Sequence, residues 1–372
     1  MSRPWLLTCR HDHEAQLARE VAILRPGTRV AAPLCPGLVR VDGDLPTEVT
    51  TESLCAFDPT WAMQILPDAE RLRAASIKGL AAAMAEPIAQ WLDAIGAQTD
   101  DGPTWDLHAI VAGQLKGQPE PPMANRLDLV VEQLVGLLGR TRRRALRRRA
   151  VGSRELTHLV QVILVGPEDL WLSCSPVARP TPSGRWPAVD PAGLAPVADE
   201  PESPNSAFRK LREAFACMGV APSPWQDTVD LGASPGGWTH VLRALGARVT
   251  AVDRSPLAPR FRRDPGVCFV RGDAFVYLPP SPVDWMVCDV IAYPERSLEL
   301  IERWTAGHHA RRLVVQLKFR GDPDHEAIAT ALRLGREHGY AARARHFFND
   351  KNEATVLFEP ADAAPAAAAL FA

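Results

Sequence analysis

The chain has 372 residues, 46% of them hydrophobic and 23% charged, with a formal net charge of −2. These values are ordinary for a soluble protein of two or three domains, and they exclude a global field that draws the molecule to nucleic acid, so any such affinity must be local. Seven cysteines without C-x-x-C spacing point to reduced thiols rather than a disulfide frame or a zinc site, and the lack of a basic-then-apolar leader or of 18 consecutive apolar residues gives the expectation of a cytoplasmic protein with no membrane partner.

In chain order, residues 1–60 read as a small α+β, ferredoxin-like segment: a strand over 5–9, a helix over 14–24 with Leu17, Val21 and Leu24 on one face, and a strand over 37–41. His11-Asp12-His13 has no third ligand in view, so no metal is expected. Residues 61–175 read as a second α+β unit. Its expected elements are a strand over 61–66, a helix over 68–97 broken or kinked at Pro87, a strand over 105–111, a helix over about 125–139, and a hairpin of 159–165 with 170–174.

Arg140, Arg142, Arg143, Arg144, Arg147, Arg148 and Arg149 are seven arginines in ten residues with no matching acids close in sequence. A solvated helix end and a phosphate-binding patch both fit such a run; beside a nucleic-acid-modifying domain the expectation is RNA contact. Residues 176–205 carry eight prolines and read as a semi-extended linker dividing the chain. The alanine-rich stretch 361–372 reads as a disordered tail.

Residues 206–360 alternate helices with short apolar runs. Ser206 or Asn205 can cap a helix with Phe208, Leu211, Phe215 and Met218 on one face and Gly219 as its stop. Five strands follow, ending near Leu231, Asp253, Arg271, Cys288 and Leu317, which predicts a parallel doubly wound sheet whose carboxyl edge binds ligand. A polar turn over 349–352 then joins two further strands, and so short a turn requires them to be antiparallel.

The stretch from Asp230 to Thr239, DLGASPGGWT, carries the strongest signal. A strand runs into a glycine turn and then a helix, so the backbone can approach a ligand closely and the helix start offers unpaired N–H groups. Asp253 closes the next strand twenty-one residues after Gly232, where it can accept hydrogen bonds from ribose hydroxyls. The spacing is not G-x-G-x-x-G; S-adenosylmethionine and a dinucleotide both remain open on these residues alone. Asp253, Asp273, Asp289, Lys318 and Glu353 all fall at the same sheet edge, more charge around one cradle than a bland core explains.

The segments around Lys210, Asp230 to Thr239, Trp285 to Asp289, Leu317-Lys318 and Glu353 to Val356 together resemble the FtsJ-like ribose 2′-O-methyltransferases. Within that family they are most similar to the RlmM-like branch, whose members methylate a cytidine ribose of large-subunit (23S) rRNA and carry an N-terminal THUMP-containing region. The resemblance implies a Rossmann-like methyltransferase domain preceded by a THUMP-like RNA-binding region, S-adenosylmethionine as cofactor, RNA as partner, and a Lys-Asp-Lys-Glu tetrad of Lys210, Asp289, Lys318 and Glu353. It further implies that Ser206, Gly232, Ser234, Pro235, Gly236, Gly237, Trp238, Asp253, Asp273 and Asp289 hold the cofactor, with Asp253 on its ribose and Asp273 on its adenine. Ser234 stands where such relatives usually have Cys, and Arg254, Phe319 and Arg320 also depart from their pattern.

Methyl transfer to a ribose needs loss of the 2′-hydroxyl proton, and Lys318 is the expected general base. A base must be the neutral amine, which desolvation and the Lys210 cation favour while Asp289 and Glu353 oppose it, so the four groups titrate as a unit. Exocyclic N-methylation is disfavoured, because the place of an Asn/Asp-Pro-Pro-Tyr/Phe motif reads Cys288-Asp289-Val290-Ile291. Cytosine C5 chemistry would need an attacking cysteine, and Cys288 lies within an apolar strand. A non-catalytic RNA-binding or ribosome-assembly factor and a nicotinamide oxidoreductase are the readings of other classes; the lysine pair argues against the first and the missing dinucleotide fingerprint against the second.

Overall fold

The computed structural model describes residues 3–99, 101–116, 122–153, 156–177 and 190–362. They divide into two compact units, one comprising the described residues up to 177 together with 190–194, the other beginning at Ala195.

In the first unit the order is β1 (Trp5–Thr8), α1 (Glu14–Leu24), β2 (Thr28–Val30), β3 (Leu38–Gly43), α2 (Thr51–Cys55) and β4 (Gln64–Leu66), then β5 (Glu70–Arg73), α3 (Ile77–Ala94), β6 (Trp105–Val111), α4 (Ala124–Thr141), α5 (Arg143–Arg147), β7 (His158–Gly166) and β8 (Asp169–Pro176). Two four-stranded sheets result, ordered β2-β3-β1-β4 and β5-β8-β7-β6. Because β4 pairs with β1, the first sheet extends past residue 60.

The expected helix over 68–97 is in fact two elements. Arg71 and Leu72 pair across from Trp171 and Leu170 in β8, and Arg71 and Arg73 both reach Asp169. Helix α3 starts only at Ser76, whose hydroxyl accepts from the Gly79 N–H, a cap of about 1 kcal/mol. The same helix runs through Pro87 without ending. Leu80, Met84, Ile88 and Leu92 of α3 and Leu127, Val130, Leu134 and Leu138 of α4 form one apolar core with Val160, Val162 and Leu172 of the second sheet.

Of the expected linker, residues 178–189 lie outside the described part. Residues 191–193 form a 3-10 turn, and the Thr8 hydroxyl donates to the Ala192 carbonyl at 2.8 Å, so this stretch is pinned to the first unit rather than free. Of the expected tail, residues 363–372 lie outside the described part.

The second unit contains α6 (Phe208–Met218), β9 (Asp227–Leu231), α7 (Gly237–Ala244), β10 (Arg248–Asp253), β11 (Val267–Arg271), β12 (Val283–Cys288), α8 (Pro294–Ala306), β13 (Ala310–Lys318), α9 (His325–Glu337), β14 (Tyr340–Arg345) and β15 (Glu353–Pro360). They build a mixed α/β fold around a seven-stranded sheet ordered β11-β10-β9-β12-β13-β15-β14. The first five are parallel to one another, and β15 is antiparallel to both neighbours, as the short turn requires. The order in which strands are added reverses between β9 and β12, the point of such a sheet where loops part and a ligand crevice opens.

Helix α6 turns its apolar stripe onto the sheet: Phe208, Leu211, Phe215 and Met218 are buried with Trp238, Val241 and Trp285. Phe215 meets Trp285 edge to face with centroids 5.3 Å apart. Aromatic pairs of this kind stabilise by about 0.5–1.5 kcal/mol beyond burial. The helix ends at Gly219 in the left-handed region, as expected; at its start Ala207 precedes the first helical residue, and the Asn205 side-chain oxygen accepts from the Ala207 N–H at 3.2 Å, while Ser206 makes no such bond.

Candidate active site

Four ionised side chains meet at the carboxyl edge of the second unit's sheet. Lys318 ends β13 and faces Glu353, the first residue of β15, in register. Asp289 follows β12, and its N–H donates to the Leu231 carbonyl at 3.2 Å, which ties it to the cradle strand. Lys210 arrives from the first turn of α6. The Lys318 Nζ lies 2.7 Å from Asp289 and 3.6 Å from Glu353; the Lys210 Nζ ion-pairs with Glu353 and lies 3.7 Å from Asp289. Each lysine therefore bridges the same two carboxylates. Two cations and two anions cancel, which is how so much charge can sit where little water reaches.

The two lysines are not equivalent. Burial alone would lower the proton affinity of Lys210, but Asp289 and Glu353 outweigh it and hold its value above the ordinary one. Burial likewise pushes Glu353 up, and Lys210 and then Lys318 more than reverse this, so the carboxylate is held below its usual range. Lys210 and Glu353 thus form a fixed ammonium–carboxylate pair, with Lys318 the more exposed of the two lysines at 20% against 12%.

Behind the four lies a layer of acids that the sequence reading did not single out. Asp230, in β9, is 1% exposed and accepts from the Thr239 hydroxyl at 2.6 Å. Burial pushes it up to about 7, against the lowering effect of that hydroxyl. Asp350 is fully buried in the β14–β15 turn, where it accepts from the Phe347 N–H, the Thr355 hydroxyl and the Gln316 amide. Burial and the neighbouring Glu353 raise it well above the usual carboxylate value. Glu213 accepts from the Asn349 N–H and so joins α6 to the same turn. A charged residue in a polar turn gives no sequence cue that it is buried; only the closure of β15 onto β13 encloses Asp350.

The glycine turn is packed closely against its own neighbours. Gly232 has φ +77° and a Cβ there would meet Val290 at 2.7 Å; Gly236 has φ +117° and a Cβ there would meet the Phe261 ring at 2.3 Å. No other residue type fits either position without moving its neighbours. Asp253 clamps the turn: one carboxylate oxygen accepts from the Ser234 N–H at 3.0 Å and the other from the Ser255 N–H at 2.8 Å. The Ser234 hydroxyl donates to the Pro256 carbonyl and the Pro235 carbonyl accepts from the Ala258 N–H.

Residues 205–312 match the model of the FtsJ-like methyltransferase family. The match spans less than a third of the chain. Among curated proteins, the chain is 38% identical over 169 residues to the ribosomal RNA large subunit methyltransferase M of Halorhodospira halophila, which covers 45% of this chain and 50% of that one. It is 37% identical over 187 residues to the protein of the same name from Alkalilimnicola ehrlichii, covering 48% and 51%. The chain thus spans about half the length of these relatives. Among solved structures, TrmN from Thermus thermophilus aligns with 96% of this chain and all of its own at 18% identity, with a TM-score of 0.34.

Within the matched stretch the side chains of three expected cofactor residues have other partners or surroundings in the fold. Trp238 is a core residue, 3% exposed, whose indole N–H donates to the Ala207 carbonyl at 2.8 Å; only its backbone, in the first turn of α7, belongs to the cradle. Ser206 lines a cavity together with Lys210 and Lys318, and no residue of the glycine turn lines that cavity. Asp273 is paired with Arg254 at 2.6 Å and accepts from the Phe275 N–H, and that backbone bond first, then Arg254, holds its carboxyl below the ordinary value. Arg254 stood out in the sequence as a departure, and this ion pair is where it goes.

In the first unit the arginine run separates into two sets. Arg142 pairs with Asp93 at 2.7 Å, Arg149 with Asp106 at 2.9 Å, and Arg148 donates to the Gly102 carbonyl. The acids missing from the local sequence are supplied across the fold. Arg140, Arg143, Arg144 and Arg147 are exposed and have no ion-pair partner among the described residues. His11 and His13 are engaged as well: His11 lies 3.3 Å from Glu14, and His13 stacks on Trp61.

Proposed function

We propose that this chain is an S-adenosylmethionine-dependent RNA ribose 2′-O-methyltransferase acting on a cytidine of large-subunit rRNA, with Lys318 as general base. The observation that carries the reading is the pairing of Lys210 and Lys318 with the same two carboxylates, Asp289 and Glu353. The names of the relatives support rRNA as the substrate class.

The residues of the cradle fit the cofactor. Gly232 and Gly236 hold the turn in left-handed conformations, and the first turn of α7, which has no side-chain cap, offers N–H groups that suit its carboxylate. Asp253 keeps lone pairs for ribose hydroxyls beyond its two backbone bonds. When bound, S-adenosylmethionine supplies an electrophilic methyl group. Lys318, in its amine form, takes the proton of the ribose 2′-hydroxyl at Nζ, and the ammonium that forms is met at once by Asp289 and Glu353. Lys210 is held cationic by the same carboxylates, so it suits orienting a substrate oxygen and not accepting a proton. In the first unit, the sheet β5-β8-β7-β6 with α3 and α4 is the proposed THUMP-like module, with Arg140, Arg143, Arg144 and Arg147 facing RNA phosphates. Such an enzyme meets its RNA in the cytoplasm.

Purified protein incubated with labelled S-adenosylmethionine and protein-free large-subunit rRNA from a strain lacking the gene tests this directly. The reading expects one phosphodiester linkage to become resistant to alkali, next to a cytidine. Label on a base, with every linkage still alkali-labile, would refute it.

A further inference from the structure

Lys318 also faces a second space. A cavity of about 670 Å³ lies against Lys210, Lys318 and Glu353, and its other walls include Ile291, Tyr293 and Arg320; the glycine turn lines no part of it. That volume is within the range of pockets for small ligands, roughly 300–1,000 Å³. Ile291 and Tyr293 come from the loop after β12 that delivers Asp289, and Arg320 is two residues past Lys318. Three side chains that build no core therefore stand at the ends of the two strands that supply the reactive pair.

Ile291 is 85% exposed and Tyr293 is 54% exposed. One exposed apolar residue is unremarkable; two on the wall of the cavity that holds the reactive lysine are not explained by folding. The Tyr293 ring is also held in place. Its residue precedes Pro294 at the first position of α8, the Arg320 guanidinium lies 4.4 Å from the ring centroid, and the Arg320 Nη1 donates to its hydroxyl at 2.7 Å. An aromatic ring with an exposed surface, braced by an arginine and next to a group that would deprotonate a ribose, matches how single-stranded RNA is gripped: a splayed base stacks on an aromatic side chain while cations meet its phosphates.

We propose that Tyr293 is the stacking platform for the base of the acceptor nucleotide, and that Arg320 braces the ring and, with Lys351 on the same cavity wall, meets the adjoining phosphates. The inference rests on the ribose-methylation reading and adds to it a positioning residue that sets where the 2′-hydroxyl lies.

The test compares wild type, Tyr293→Ala and Tyr293→Phe in methylation of protein-free large-subunit rRNA, with cofactor affinity measured by calorimetry and folding by thermal melts. Loss of stacking in Tyr293→Ala should raise the KM for RNA roughly 10- to 100-fold, with cofactor affinity within about twofold, while Tyr293→Phe keeps the ring and stays close to wild type. An unchanged KM in Tyr293→Ala, or equal losses in both variants, would overturn it. If wild-type protein methylates no rRNA, the activity reading has failed, and the platform is then read from the affinity for a fluorescent single-stranded RNA 10-mer of mixed sequence. Weaker binding by Tyr293→Ala than by Tyr293→Phe supports it; equal binding by all three overturns it.

Discussion

The four charges of the site sum to zero, and that balance makes each of them hard to replace alone. Removing one partner of a buried ion pair leaves an uncompensated charge and costs about 3–5 kcal/mol. Lys210→Met is therefore expected to destabilise the domain by that order and to abolish turnover. The double variant Lys210→Met/Glu353→Gln should recover much of the stability and none of the activity, which paired denaturation and methylation assays would show.

Asp230 offers a pH test at the same scale. Its value of about 7 in the folded chain lies above the ordinary 3.8, so folding retains a proton there between those values. The resulting stability is complete below about pH 4 and is lost as pH rises through about 7. Asp230→Asn keeps an acceptor for the Thr239 hydroxyl and has no proton to lose. Its stability relative to wild type should rise between pH 5 and pH 8, by on the order of 1–3 kcal/mol; a difference independent of pH would count against a proton on Asp230.

At the scale of elements, the second unit was legible because its strands are short apolar runs ended by glycine or acid, a pattern that helices do not share. The edge positions of Asp289 and Lys318 were legible for the same reason, because a charged residue at the end of such a run lies at the sheet edge whatever the tertiary details; Lys210, on a helix, had no such cue. The helix expected over 68–97 failed where a local period competes with a distant partner. Leu72 fits the apolar stripe of a helix as well as it fits β5, and only β8, with Asp169 drawing in Arg71 and Arg73, decides between them. Trp238 was hidden differently, because its place in the motif marks the backbone while the side chain follows the core. The cradle itself can be probed through Gly236. With φ +117° and Phe261 in the way, Gly236→Ala should lower the melting temperature and weaken S-adenosylmethionine binding at least tenfold, as calorimetry would measure.

At the scale of the whole molecule, the seven arginines read as one patch in sequence, yet three are spent on structure. The separation predicts two different phenotypes. Replacing Arg140, Arg143, Arg144 and Arg147 together by Glu should leave the fold and cofactor affinity intact. The slope of log affinity for RNA against log salt should then be shallower by roughly 3 to 4, at up to 0.9 per phosphate contact. Arg149→Ala instead strands Asp106, which is 3% exposed, and should appear as lost stability. No sequence rule could make this division, since Asp93 and Asp106 lie more than thirty residues away from the run.

In the proposed reaction Lys318 takes the ribose proton while Lys210 only orients. This division of roles is tested most directly by Lys318→Ala, assayed side by side for transfer of label to rRNA ribose and for S-adenosylmethionine affinity. Turnover should fall by at least a thousandfold, on the scale of lost general-base catalysis, with cofactor affinity within about twofold of wild type. Turnover within tenfold of wild type would contradict it.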